Sequence, residues 1–271
     1  MKLAFDFGIT NTDVVSYKDG EMKFFTMPSE TINNNFLDKL LLNAEIELKD
    51  IDAIAVTGGK SSDLEDTFKN IPIVKVNEVE AIGYGAKDLY NISEPSYLVV
   101  SCGTGTACVA SIDNEFHHMG GISVGGGTLQ GLSNLILGEE NAEKINTLAA
   151  DGNKDNLDSL IGEVVNDIGA LYPEITASNF AKARYSNNFL EQDISSSLCN
   201  MVGEVIGTVS YLNGLMIGVS KIYFIGRVSL LDSVKKGIDK RLDLVNLSGQ
   251  YEKNREFGNA VGAIAYLNAN T

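Results

Sequence analysis

Hydrophobic and polar residues alternate near the start of the chain with the period of strands. LAFDF (3–7), DVVSYK (13–18) and MKFFTM (22–27) read as three short strands in a meander, joined by the polar GITNT and by a turn on Asp19–Gly20. At 32–48 the apolar spacing becomes helical, with Phe36, Leu40, Leu41 and Ala44 on one face. A buried strand at 51–56 ends in Thr57, Gly58 and Gly59. A helix near 63–69, a strand at 73–76 and a helix at 78–89 follow.

From Tyr97 the order restarts. YLVVSC (97–102), TACVASID (106–113) and HHMGGISV (117–124) form a second meander, with the Gly/Thr-rich SCGTGT (101–106) spanning its first turn. Helices occupy the middle of the chain. In the longest, ending near Val219, Leu198, Val202, Val205, Val209, Leu212 and Met216 recur at helical spacing. A strand at 221–225, a helix at 231–240, a short strand near 243–245 and a closing helix at 257–268 complete the pattern. Two α/β halves are expected, 1–92 and 93–271, the second carrying a helical insertion and the closing helix, with a cleft between them.

Charge narrows what the cleft holds. With 36 acidic and 21 basic residues in 271, the net charge of −15 argues against a nucleic-acid binder, which would show basic stripes. An anionic ligand must then be held locally, by backbone amides, a few cations and a metal ion. Three scattered cysteines, Cys102, Cys108 and Cys199, make no disulfide framework and no CxxC, and suit a reducing cytoplasm. The opening MKLAFDFG carries Asp6 inside its apolar stretch, unlike a secretory signal. The apolar stretch 201–219 includes Glu204 and Asn213 and reads as a core helix, so no membrane association is expected.

Each meander offers a candidate phosphate turn. The first sets Asp6 at a strand end, followed by Gly8, Thr10 and Asn11; the second is Gly103, Thr104, Gly105 and Thr106. Either turn alone reads as a hairpin needing glycine. Two in matching positions favour a nucleotide, with Asp6 holding Mg²⁺ directly or through water. Gly59, Lys60 and Ser61 do not end a Walker A loop, because Ile54 stands where its first glycine belongs.

The spacing of Asp6, Gly8 and Thr10, the TGG at 57–59 and the GTGT at 103–106 resemble the acetate/sugar kinase, Hsp70 and actin superfamily. GTGT, MGGISVGGGTLQGL (119–132), ITASNF (175–180) and FGNAVGAIAYL (257–267) are most similar to the type II pantothenate kinases, over nearly the whole chain. The resemblance implies a two-lobed actin-like ATPase fold (ribonuclease H-like), each lobe opening with a three-strand β-meander. It also implies use of ATP and Mg²⁺, a small-molecule acceptor, a homodimer and a role in coenzyme A biosynthesis.

By the same resemblance Glu78 is the general base on the acceptor hydroxyl, with Glu80 its neighbour. Residues alone read Glu78 as a first-turn acid favouring the helix dipole. Gly103–Thr106 would hold phosphate, and Gly126, Gly127, Thr128, Leu129 and Gln130 would meet the nucleotide at a helix N-terminus. Gly226 and Arg227 would border the adenosine, and His118 and Gly121 the acceptor. Three positions depart from the family. Ile9 replaces a glycine and Asp13 a lysine in the first turn, and His118 replaces the arginine that binds the pantothenate carboxylate. The alternatives are therefore a kinase of another small alcohol, a non-catalytic nucleotide or acyl-CoA binder, and an activating ATPase of the dehydratase type.

Overall fold

The computed structural model describes residues 1–59, 61–166, 172–186 and 188–270. Lys60, of the Walker-like GKS, lies outside them. The first meander forms as expected: β1 (Lys2–Phe7), β2 (Asn11–Lys18) and β3 (Glu21–Pro28). Asp19 and Gly20, at φ 53 and 86, make its β2–β3 turn. Next come α1 (Asn34–Asn43), β4 (Ala53–Thr57), β5 (Thr67–Phe68), β6 (Ile71–Lys75) and α2 (Glu78–Leu89). The sheet order is β3-β2-β1-β4-β6-β5, with β1, β4 and β6 parallel.

The second meander is β7 (Tyr97–Cys102), β8 (Thr106–Ile112) and β9 (Glu115–Ile122). After it come α3 (Gly126–Leu137), α4 (Ala142–Ala150), β10 (Ser159–Leu160), α5 (Ile161–Val164), β11 (Thr176–Ser178) and α6 (Glu191–Ile217). The chain closes with β12 (Lys221–Ile225), α7 (Asp232–Asp243), β13 (Ser248–Gln250) and α8 (Gly258–Asn270). The second sheet runs β13-β12-β7-β8-β9, with β10 and β11 a separate ribbon.

Three local expectations are corrected. Leu64 and Phe68 are both buried, but their i, i+4 spacing comes from a 3₁₀ turn at Ser61–Asp63 and the short β5, not a helix at 63–69. Lys69 and Asn70, at φ 49 and 69, then turn the chain into β6. The helix expected at 32–48 stops at Asn43, two residues before Glu45 at φ 56. Asp243 ends α7, residues 244–245 turn instead of forming a strand, and Asn246 at φ 57 leads into β13.

Strand alternation sorts each sheet into two packing faces. Leu3, Phe5 and Phe7 of β1 pack with Phe36, Leu37, Leu40 and Leu41 of α1. Ala4 faces the other way, with Val15 and Ala55, against Ala260, Val261 and Ile264 of α8. In the second sheet Leu98, Val100 and Cys102 meet α6 and α7, while Tyr97 and Val99 meet Ile82 and Ala86 of α2. Helices α2 and α8 thus lie between the sheets. Gly85 and Gly262 let them touch, since a Cβ on either would run into backbone of the other helix.

Candidate active site

The same alternation builds one end of the cleft. Asp6 follows Ala4 on the face toward α8, and register sets Asp13 of β2 and Thr57 of β4 on either side of it. Three polar side chains therefore form a row across adjacent strands at the C-terminal edge of β1 and β4. Thr57 is fully buried, and its Oγ1 has no hydrogen-bond partner among the described residues. Gly58, at φ 74, leaves the space that the Asp6 carboxylate occupies. Asn259, in the first turn of α8, hydrogen-bonds to Asp6.

Electrostatics in the row follow from burial. Asp6 is pushed up to about 8, first by burial and then by the negative charges of Asp13 and Glu78, against the Asn259 bond and Arg227. Asp13, 5% exposed, is pushed up to about 6, because burial outweighs the Arg227 charge beside it. Glu78 opens α2 and is exposed; Asn77 caps the helix by accepting from Val79 N at 2.8 Å. Glu80 is partly buried.

The first turn is held by side chains. Ser29 Oγ donates to Gly8 O at 2.7 Å and lies 3.0 Å from Thr12 Oγ1, while Ser29 N donates to Thr10 O at 3.0 Å. Ile9 does not have positive φ, and its side chain is 82% exposed, so its branched Cβ is not strained there. Asp13 is ion-paired to Arg227, which also donates to Thr26 Oγ1 at 2.7 Å.

The second turn is held by backbone. Gly126 N donates to Gly103 O at 2.9 Å, Gly127 N to Thr104 O at 3.0 Å, and Gly103 N to Gly105 O at 2.9 Å. The two glycine stretches read separately in the sequence are thus one unit. The amides of Thr104 and Gly105 donate to no backbone carbonyl among the described residues. Thr106 Oγ1 binds Val124 O at 2.8 Å and Thr128 Oγ1 binds Ser123 O at 3.0 Å. Leu129 is fully buried in the core, and Gln130 Nε2 donates to Glu140 O at 3.1 Å, so these two side chains are directed elsewhere. Gly226, at φ 87, lets β12 end against Cys102 O, which joins the Arg227 turn to this unit.

His118 is exposed on β9 and shares the face of Phe116, whose ring packs on Gly83 and Tyr84 of α2. It therefore lies on the face of β9 that is turned toward α2, the helix that begins with Glu78. Gly121 pairs with Ala107 on β8, and a Cβ there would lie 2.5 Å from Thr106 O. Sequence reasoning missed Thr57 and Asn259, although TGG and FGNA drew notice as motifs. It also missed Glu256, whose charge reaches Asp13. All three thiols are buried, with burial pushing Cys108 and Cys199 up to about 12 and Cys102 higher still.

The Fumble family model matches residues 86–233. A type II pantothenate kinase of Bacillus anthracis is 30% identical over 236 residues, which cover 80% of this chain and 81% of the relative. The chain belongs to the Fumble family, that of the type II pantothenate kinases. Another member, from Bacillus cereus, is 33% identical over 183 residues, 64% of this chain and 65% of that one. Pantothenate kinase 2 of Arabidopsis thaliana is 30% identical over 207 residues, only 23% of its length.

Among solved structures, the activator of 2-hydroxyisocaproyl-CoA dehydratase from Clostridium difficile with bound ADPNP superposes with a TM-score of 0.70 at 16% identity, covering 98% of this chain and 93% of that one. Component A of the Acidaminococcus fermentans (R)-2-hydroxyglutaryl-CoA dehydratase gives 0.71, also at 16% identity. At that identity the likeness is one of fold: two actin-like lobes, each opening with a strand meander, as the sequence led us to expect. No helix among the described residues is long and apolar enough to cross a membrane.

Proposed function

We propose that this member of the family is an ATP-dependent kinase that phosphorylates the hydroxyl of pantothenate or a close analogue, in coenzyme A biosynthesis. The observation that carries the reading is the row of Asp13, Asp6 and Thr57, with the Glu78 charge acting on Asp6, joined through the Asp13–Arg227 pair to the other lobe, where Gly226 packs on Cys102 at the foot of an uncharged glycine turn. Such an arrangement suits phosphoryl transfer, in which catalysis is mostly positioning and charge stabilisation.

Glu78 would accept the acceptor's hydroxyl proton; its exposure leaves it open to an incoming ligand. The Gly103–Thr106 turn would hold phosphate oxygens through the Thr104 and Gly105 amides. Gly8, Thr10 and Asn11 would approach from the first lobe, Gly126–Gln130 would contribute backbone near the nucleotide, and Gly226 would border the adenosine. His118 and Gly121 would face the acceptor.

A divalent cation fits at Asp6. The buried carboxylate has anionic neighbours and an unpartnered threonine hydroxyl beside it, and no group of three or more His, Cys, Asp or Glu among the described residues makes an all-protein cage. That matches the preference of Mg²⁺ for one or two carboxylates, with water and phosphate completing its shell. Bound there, the ion would neutralise charge on the phosphates.

We also propose a cytoplasmic homodimer. Leu212, Leu215 and Met216, exposed along α6, offer an apolar contact surface. A second reading, a kinase of a different small alcohol, is favoured by His118, which cannot form the bidentate guanidinium–carboxylate pair.

A coupled ADP-release assay with ATP and Mg²⁺, run with pantothenate, pantetheine, pantoate or no acceptor, tests the proposal. Pantothenate-dependent turnover should fall at least about a hundredfold in Glu78→Gln. Turnover on pantetheine or pantoate alone would make the acceptor a close analogue and not pantothenate itself, and nucleotide binding without turnover on any of the three would leave the second reading or a binding protein.

A further inference from the structure

Asp13 on β2 and Arg227, just beyond β12, come from opposite lobes and meet in an ion pair. The guanidinium also holds Thr26 Oγ1 at 2.7 Å and lies 5.7 Å from the Phe257 ring. The other titratable groups beside Asp13 are acidic: Asp6, its partner in the β1–β2 register, and Glu256, one carboxylate oxygen of which is buried with no partner among the described residues. Each member of the pair also sits beside a turn of the cleft. Asp13 follows the first turn by two residues from Asn11, and Arg227 follows Gly226, which packs on the carbonyl before Gly103.

We infer that Arg227 is a positioning residue that masks the Asp13 charge only while the lobes are together, and so couples nucleotide binding to their apposition. The inference rests on the nucleotide reading proposed above. With the pair formed, the two charges cancel and the first turn tolerates a polyphosphate. With the lobes apart, Asp13 confronts the phosphates unpaired, and like charges in a partly buried site favour release of the nucleotide. Arg227 then serves the ligand through Asp13, not by holding phosphate itself.

The two roles separate in a double-mutant cycle. Mg²⁺–ADP is titrated calorimetrically into wild type, Arg227→Met, Asp13→Asn and the double variant. Arg227→Met should weaken binding roughly tenfold or more, because it leaves a buried carboxylate facing the diphosphate. The double variant should return to within about threefold of wild type. A double variant as weak as Arg227→Met would overturn the inference and make the arginine a phosphate ligand; wild-type affinity in Arg227→Met would overturn it too. Thermal unfolding of the four proteins without nucleotide runs alongside. A wild type that binds no nucleotide would sink the kinase reading itself. The unfolding cycle then decides whether the pair ties the lobes: non-additive effects support the tie, and additive ones refute it.

Discussion

Between β1 and β2 the chain turns through residues 8–10 with a carboxylate on each flanking strand; between β7 and β8 it turns through residues 103–105 with none. The first turn is tied down by the Ser29 hydroxyl and flanked by the Asp6–Asp13 row. The second is tied down by its own amides and carbonyls, bonded to the start of α3. A turn built on side-chain charge responds to pH, salt and single polar substitutions. A turn built on backbone responds chiefly to added volume, because it has no side chain to lose.

Substitutions can break this contrast, from the largest effect to the smallest. Asp6→Asn should lower acceptor-dependent turnover at least about a hundredfold, since it removes the carboxylate that would hold the divalent cation; a variant that keeps wild-type turnover would show that the row is not catalytic. In the second lobe, Gly226→Ala places a Cβ 2.5 Å from Cys102 O at φ 87. It should cost roughly 1–3 kcal/mol in urea unfolding, and an equal cost from Gly20→Ala, where nothing lies within 4 Å, would break the packing argument.

The charged row also predicts a pH dependence of opposite sign to that of an ordinary salt-bridged carboxylate. Folding raises Asp6 from 3.8 to about 8 and Asp13 to about 6, so the native protein holds protons that the unfolded chain has released. Their contribution is present in full at low pH and is lost as pH rises through the folded values. The ligand-free protein should therefore melt at a progressively lower temperature between about pH 4 and pH 8, and Asp6→Asn should flatten that slope. A slope unchanged in the variant would assign it to other groups. The smallest effect is expected from Ser29→Ala, which removes the bond to Gly8 O and should cost about 0.5–1 kcal/mol of stability. Its larger consequence should appear in the KM for ATP, as the first turn loosens.

Much of the scaffold was legible because its signals are local. The period-2 runs gave both meanders; helix α2, begun by the Asn77 cap, and strand β12 run over the residues expected. The region at 63–69 failed because Leu64 and Phe68 satisfy a helical spacing while lying just after a 3₁₀ turn and in a strand. Burial of both residues is real; only the backbone between them differs. In the site, Asp6 and the two glycine turns could be found from residue type and position after a strand. Asn259 could not, since nothing in FGNA says which of 271 residues its amide will meet.

By itself the sequence determined which face of β1 carries Asp6, because alternation with Leu3, Phe5 and Phe7 leaves no other choice. It determined equally that Glu78 begins a helix and that residues 103–106 form an uncharged turn. Only the tertiary structure decided what became of Asp13, which looked repulsive beside a phosphate until its partner appeared 214 residues away. It also decided that the glycines at 103–105 and 125–127 form one hydrogen-bonded unit. The physical reason is the range of the forces. Backbone periodicity is set by neighbours a few residues apart, whereas the charge state of a buried carboxylate depends on whatever the fold brings within a few ångströms of it.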